Sequence, residues 1–416
     1  MLIRTGLVAI LVICNVFLLG CNGSHEPDSL VYIVAIGFDK AKEPGEIEIS
    51  FQMSVPRTGS SSEGGSGETK KNAIVITIKA VTLAEAYNML DSAIAYTPTL
   101  SHTKMLVFSE ELAREGLQDV MGPIMRFRQY RGSMHIAIVK GSASDFFKSN
   151  QPAFDITLSK YYEIMMESYP ESAYYLDSSL HTFYMRLKSW SGQAYATMVG
   201  VNPTTGNGAP ADGKVPGGKA ETYIAGDMPR QGGNKAEFMG TAIFRGDKMV
   251  GILDNDETRM LNILLGTFNK GFLSVVDPLD PKRSVNAFLS LEQGPSIKTH
   301  IENGIPYLQV QIKLEGEISA IPSGIHYEKE EYLSLLEEQV SQVITERMEK
   351  MLRHTQAAGS DVASFGFYFR PYFLTRPEFN DFNWNDRYSE AQIEVHVKTN
   401  LRRYGLMMKT SAIQGK

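Results

Sequence analysis

Ser101-His102-Thr103-Lys104 has the spacing at which a lysine amine can take the proton of a serine hydroxyl and turn it into a nucleophile. The companion Ser-Asp-Asn and Lys-Thr-Gly elements are missing, and Lys398-Thr399-Asn400 does not supply the second. A polar loop entering a strand is the preferred reading. Asp254-Asn255-Asp256-Glu257 offers carboxylates to a divalent cation but lacks the loop glycine and distal glutamate of an EF-hand, so a helix start is preferred there. None of the eight histidines, His25, His102, His135, His181, His300, His326, His354 and His396, stands at an HExxH spacing, which leaves zinc unsupported. A GxGxxG after a strand, a Walker A loop and a GxSxG elbow are all missing, so no catalytic, cofactor or metal residue is expected. Arg126 and Arg131 stand beside Phe127 and Tyr130, either as an anion or partner surface or, more plainly, as a solvated helix end. Tyr368, Phe369, Tyr372, Phe373, Phe379, Phe382 and Trp384 read as core filling, with a share left over for partner contact.

The amino terminus carries a different chemistry. After Arg4, Leu7 to Leu19 is an apolar run broken only by Asn15, long enough for an export signal but short of the roughly 20 residues that span a bilayer. Leu18-Leu19-Gly20-Cys21 follows and resembles a bacterial lipobox, whose cysteine is acylated and becomes the mature amino terminus. Residues 1–20 read as a lipoprotein signal peptide, Cys21 as the lipidation site, and 21–28 as a polar tether. Cleavage removes Cys14 and only one charge, Arg4, so the formal charge moves from −6 to −7 and no disulfide remains possible. Two or more acyl chains hold a soluble body at a membrane almost permanently.

That body must position whatever function there is. A length of 416 residues predicts about three units. At 43% hydrophobic and 21% charged, the chain suits packed cores and is neither wholly disordered nor polytopic. Its acidic balance provides no basic excess for nucleic acid. Two cysteines exclude a disulfide scaffold.

Leu30–Gly37 and Glu46–Val55 read as a hairpin around Lys42-Glu43-Pro44-Gly45, Arg57–Lys71 as a flexible loop, and Ala73–Ala80 as a strand. Thr82 and Glu85 predict a capping box on a helix running to Tyr96, with Leu83, Ala86, Tyr87, Leu90 and Ile94 on one face. Ser109 caps a helix expected to reach Met121, flanked by strands at Lys104–Phe108 and Ser133–Val139. Helices over Ile156–Tyr169 and Ser178–Trp190 and a strand at Tyr195–Val201 close an N-terminal α/β unit, 29–201. The Gly/Pro-rich stretch 202–235 opens a middle unit, 202–290, with a hairpin at Phe238–Phe244 and Met249–Leu253 and a helix from Asp254 to Leu265. Val285–Leu291, Ser296–Ile301 and Tyr307–Ile318 read as a meander leading into the C-terminal α+β unit, 291–410, which also contains a tight turn at Asn303-Gly304, the long amphipathic helix 328–354 and a last strand, Ala391–Leu401. The fold class is α+β (mixed α/β), three domains, each a mixed or antiparallel sheet packed with helices behind the signal peptide.

Gly37-Phe38-Asp39, Ser101-His102-Thr103-Lys104, Ser109-Glu110-Glu111-Leu112-Ala113-Arg114-Glu115-Gly116, Gly240-Thr241-Ala242-Ile243-Phe244, Val250-Gly251-Ile252-Leu253-Asp254 and Glu257-Thr258, with Phe365-Gly366, Trp384 and Gly405, resemble in order and spacing the Ger(x)C family. The resemblance implies a C subunit of a nutrient germinant receptor. Such a subunit is a lipoprotein on the outer face of the spore inner membrane, with three α/β domains, working beside integral A and B subunits without catalysis. The only residue the family carries over is the lipidated cysteine, here Cys21. A solute-binding lipoprotein of an importer, and an envelope hydrolase built on Ser101 and Lys104, are the alternatives.

Overall fold

The computed structural model describes residues 29–54, 73–152, 156–203, 222–327 and 329–403. Cys21, the leader and the tether lie outside these residues, as do the loop expected at 57–71 and residues 204–221 of the Gly/Pro-rich stretch.

The first strand, β1 (Leu30–Lys40), pairs antiparallel with β2 (Ile47–Ser54), so the expected hairpin is present, and β2 pairs antiparallel with β3 (Ala73–Ala80). Helix α1 (Leu83–Ala93) buries Leu83, Ala86 and Leu90. Its cap is half of the expected box: Thr82 Oγ1 accepts from Glu85 N at 3.2 Å, but the Glu85 carboxylate reaches back to Val81 N at 3.1 Å. Next come β4 (Thr97–Thr99), β5 (Met105–Ser109), α2 (Glu110–Glu115) and α3 (Gln118–Arg126). The single helix expected from Ser109 is therefore two. Gly116 separates them at φ +132°, a conformation L side chains rarely adopt, and a Cβ there would lie 2.5 Å from Asp247 Oδ2.

The chain continues through β6 (His135–Val139), α4 (Ala143–Ser149), α5 (Leu158–Glu167), α6 (Leu180–Leu187) and β7 (Tyr195–Val201). Strands β1, β5, β6 and β7 are parallel neighbours, and such strands must be covered on both faces. The side-chain period of two does the sorting. Leu106, Phe108, Ile136 and Ile138 meet α1, α2, α3 and α6 on one face, while Met105, Val107, Ala137 and Val139 meet α4 and α5 on the other. This is why MLVFS and HIAIV are continuously apolar instead of alternating.

Strands β8 (Ala236–Arg245) and β9 (Lys248–Leu253) extend the same sheet, β8 pairing antiparallel with β7. Helix α7 (Asn255–Leu264) then leads to β10 (Lys270–Val276), β11 (Ser284–Glu302) and β12 (Ile305–Ala320). Helix α8 (Glu330–Ala357) crosses over to β13 (Gln392–Arg403), which lies parallel to β12, giving a second sheet in the order β10-β11-β12-β13. The meander strands expected at Val285–Leu291 and Ser296–Ile301 are one strand, β11. Gln293-Gly294-Pro295 lies at its register shifts, a bulge where a proline that cannot donate to the ladder is tolerated. Asn303 and Gly304 both take positive φ in the expected tight turn. Helix α8 buries Leu336, Val340, Ile344, Met348, Met351 and Leu352, each worth about 1.5–3 kcal/mol when fully removed from water.

All described strands fall in two sheets, and the middle unit expected at 202–290 is divided between them. The reason is visible in β8: AEFMGTAIF is buried residue by residue and needs cover on both faces, so it continues the first sheet as the ladder partner of β7. One buried apolar cluster runs from Ile243 and Leu253 of the first sheet through Met260, Leu261 and Leu264 of α7 to Val285, Ile312 and Ile344. The two sheets share a core.

Candidate functional site

In a parallel α/β sheet, ligands bind outside the carboxyl ends of the strands, where the chain leaves neighbouring strands toward opposite faces. Here β5 passes to α2 on one face and β6 to α4 on the other, and a crevice of about 520 Å³ opens between them, lined in part by Asp39, Lys40, Glu48, Ser109, Arg114 and Ser142. Its polar groups are turned to assembly. The buried Asp39 carboxylate accepts from Ala143 N at 2.8 Å, Ser144 N at 3.3 Å and Ser142 Oγ at 3.0 Å. Burial lifts its pKa, and those donors oppose the lift. Lys40 pairs with Glu111 at 3.2 Å and also with Glu115, and Arg114 pairs with Glu110 at 2.7 Å. Gly37 completes the seat, since a Cβ on it would lie 2.5 Å from the Ala143 Cβ. Gly37-Phe38-Asp39 therefore docks and caps α4, a helix the sequence reading missed although Ser142 and Asp145 signal its start.

Ser101 and Lys104 are not brought together as a nucleophile and its base. Ser101 Oγ accepts from Thr99 Oγ1 at 3.2 Å, while the Lys104 ammonium lies 3.1 Å from the Glu163 carboxylate of α5. Lys104 and Lys160 together hold Glu163 below the usual carboxylate range. Among the described residues no group of three or more His, Cys, Asp or Glu is placed to hold a metal ion, and no helix is long and apolar enough to cross a membrane.

Asp254-Asn255-Asp256-Glu257 starts α7 with a full capping box: Asp254 Oδ1 accepts from Asp256 N at 2.9 Å and Glu257 N at 2.8 Å, and Glu257 Oε2 accepts from Asp254 N at 3.3 Å. Helix α8 lays cations over these carboxylates. Arg347 Nη1 donates to Asp256 Oδ1 at 2.8 Å, Lys350 lies 3.7 Å from both Asp254 and Glu257, and His354 Nδ1 is 3.1 Å from Glu257 Oε2. The cluster fastens the end of the first sheet's last strand to the long helix of the second sheet.

The hydrogen bond to Glu257 raises the His354 pKa against the opposing effect of burial. Burial alone would raise Glu257, but His354 and Lys350 outweigh it and the net shift is downward. The histidine's contribution to stability is complete below its ordinary value of 6.5 and fades as pH rises through the raised value. The glutamate's contribution is complete above its ordinary 4.5 and fades as pH falls through the depressed value. The gap in melting temperature between the natural chain and His354→Asn is accordingly widest between about pH 4.5 and 6.5 and narrows on either side. A gap independent of pH would show that the pair adds nothing.

A second fastening joins α6 to the segment after α8. Arg186 Nη1 donates to the carbonyls of Gln193 at 3.2 Å and Val362 at 3.0 Å and to Ser364 Oγ at 3.1 Å, with its guanidinium 4.6 Å from the Tyr195 ring centre. Asp361 Oδ2 accepts from Trp384 Nε1 at 2.7 Å and Gly366 N at 3.1 Å, and burial pushes this carboxyl up to about 6. Arg186 and Val362 are 176 positions apart and carry no local signal of meeting, so sequence reasoning did not find this fastening. The aromatic stretch divides: Phe369, Phe379 and Trp384 are buried, while Tyr368 and Tyr372 remain exposed. Arg126 and Arg131 lie in and after the last turn of α3, on the face of the first sheet that α6 also covers, and the next residue, Gly132, accepts through its carbonyl from His181 N of α6 at 2.9 Å.

Comparison with known proteins gives concordant results. Residues 23–201 match a family model described as the spore germination protein N-terminal domain, and residues 239–405 match one described as spore germination B3/GerAC-like, C-terminal. Among curated proteins of Bacillus subtilis (strain 168), the chain is 21% identical to the putative spore germination protein YfkR over 401 residues, 96% of each chain. It is 22% identical to spore germination protein KC over 414 residues, 97% of each chain. It is also 22% identical to spore germination protein B3, covering 94% of this chain and 96% of that one. The crystal structure of the GerBC protein aligns with a TM-score of 0.51 at 17% identity, over 89% of this chain and 98% of the other, which shows a common fold.

Proposed function

Because the chain belongs to the Ger(x)C family of spore germination proteins, we propose that it is the lipid-anchored, non-enzymatic C subunit of a nutrient germinant receptor. It works on the outer face of the spore inner membrane by docking with integral A and B subunits. The observation that carries this reading is similarity to spore germination proteins along nearly the whole chain, 96% and 97% in two of them. The architecture agrees with it. Charged groups at the strand ends and between the sheets are spent on internal pairing, which suits a stiff docking body better than a reaction centre.

Affinity isolation of the tagged full-length protein from spore inner membranes tests the reading. Two integral membrane proteins should accompany it, and spores lacking the gene should lose one set of nutrient responses while still germinating with dodecylamine. Recovery with an importer permease would transfer the chain to solute binding. Normal nutrient germination of the deletion strain, with no paralogue compensating, would reject the receptor role.

A further inference from the structure

The amino terminus leaves the first sheet at one particular end. β1 begins at Leu30, and its first residues pair with Thr97–Thr99 before Ala35 draws level with Met105 and His135, the starts of β5 and β6. Helix α3 runs back toward this same end and delivers Arg126, Phe127, Arg128, Gln129 and Arg131, all exposed, just before β6. The three guanidinium groups have no ion-pair partner among the described residues, unlike Arg114, Arg230, Arg245 and Arg347. Phe127 is 43% exposed, its ring 5.6 Å from that of Tyr130. Beside it an apolar groove of about 260 Å³ runs between α1 and α3, lined by Leu83, Ala84, Tyr87, Pro123, Phe127 and Tyr130. Tyr96, 52% exposed, follows α1 at this end.

Ala35 of β1 and His135 of β6 are two strand spacings apart, about 10 Å, and Leu30 lies five residues, about 16 Å, further back along β1 at the same end of the sheet. Leu30 stands nine positions after Cys21, a reach of about 30 Å at full extension. The plane that holds Cys21 therefore lies within about 30 Å of the start of β1, at the end of the sheet where the arginine segment also lies. Unpaired arginines are forked donors to phosphate oxygens, and exposed aromatic rings favour the headgroup level of a bilayer.

We propose that Arg126, Arg128 and Arg131, with Phe127 among them, dock this end of the body onto the headgroups of an anionic bilayer. The proposal rests on the anchoring at Cys21 proposed above. Docking at this end fixes orientation as well as distance: the carboxyl ends of the parallel strands and the crevice at Asp39 then face away from the lipid.

The test uses the full-length, acylated protein reconstituted into vesicles containing phosphatidylglycerol. A thiol-linked fluorophore is placed at Gln129→Cys or, as reference, at Glu43→Cys, an exposed position in the β1–β2 turn at the far end of β1. Lipids with spin-labelled headgroups should quench the probe at 129 several-fold more than that at 43. Combined R126Q, R128Q and R131Q should remove the excess, since about fivefold per arginine makes the docked state about a hundredfold less favoured. Vesicles of phosphatidylcholine alone should do the same. Equal quenching at the two positions in protein that floats with the vesicles would overturn the docked face and leave the anchor standing. Excess quenching that survives the triple substitution, or that arises only when an integral partner protein is added, would overturn it as well. Protein that never floats with vesicles would refute the anchor, and the docked face with it.

Discussion

Trp384→Ala is expected to cost about 4 kcal/mol of stability, the range measured when a fully buried tryptophan is cut back to alanine. Trp384 is 1% exposed, and its ring stacks on Phe369 with centres 4.7 Å apart. Gly366 lies so close that a Cβ on it would sit 2.3 Å from the indole, so the surrounding backbone is already shaped to the ring and has little freedom to collapse into the space. The substitution also removes the Nε1 donor at 2.7 Å from Asp361, whose other oxygen is already buried without a partner. A carboxyl so placed loses its charge more readily, and its pKa should climb further above 6. Chemical denaturation should register the loss, and thermal melting a fall of roughly 10 °C. Trp384→Phe keeps the stacking and isolates the hydrogen bond, at about 1–3 kcal/mol. A change below about 1 kcal/mol for the alanine variant would mean that this corner of the core does not hold the two sheets together.

Cys21→Ala is expected to abolish acylation entirely. Each buried methylene contributes about 0.8 kcal/mol, so two long chains on the proposed Cys21 anchor would hold the mature protein at a bilayer with on the order of 20 kcal/mol. No other cysteine outside the leader can accept them. The variant should lose all radiolabelled palmitate and keep residues 1–20, migrating as the longer precursor. Label that survives the substitution, or normal trimming after residue 20, would show that the lipobox reading of Leu18-Leu19-Gly20-Cys21 is mistaken.

Local chemistry was legible in the sequence, and long-range pairing was not. The β1–β2 hairpin, the Ser109 cap, the helix start at Asp254, the Asn303-Gly304 turn and the face of α8 follow from periodicity and from side-chain oxygens competing for backbone N–H groups. Strand β10 was missed although Phe272, Ser274 and Leu273, Val275 alternate between exposed and buried, because Gly271 opens it without a signal. The division of β8 and β10 between two sheets depends on which faces remain uncovered, a property of the whole body. Arg126 and Arg131 were legible as residues of interest. Their position at the end where the chain emerges was not, because it depends on the parallel run of β1, β5 and β6.

The first family match ends at 201, with β7, and the second begins at 239, inside β8, and these two strands are ladder partners in one sheet. The seam between them is therefore a seam in the alignment and not in the material. A polypeptide stopped at Val201 would display the whole of β7 as a bare edge with continuous apolar surface, the template on which sheets of separate molecules join. A chimera of two paralogues joined at that seam would likewise have to rebuild the β7–β8 ladder from strands of different origin.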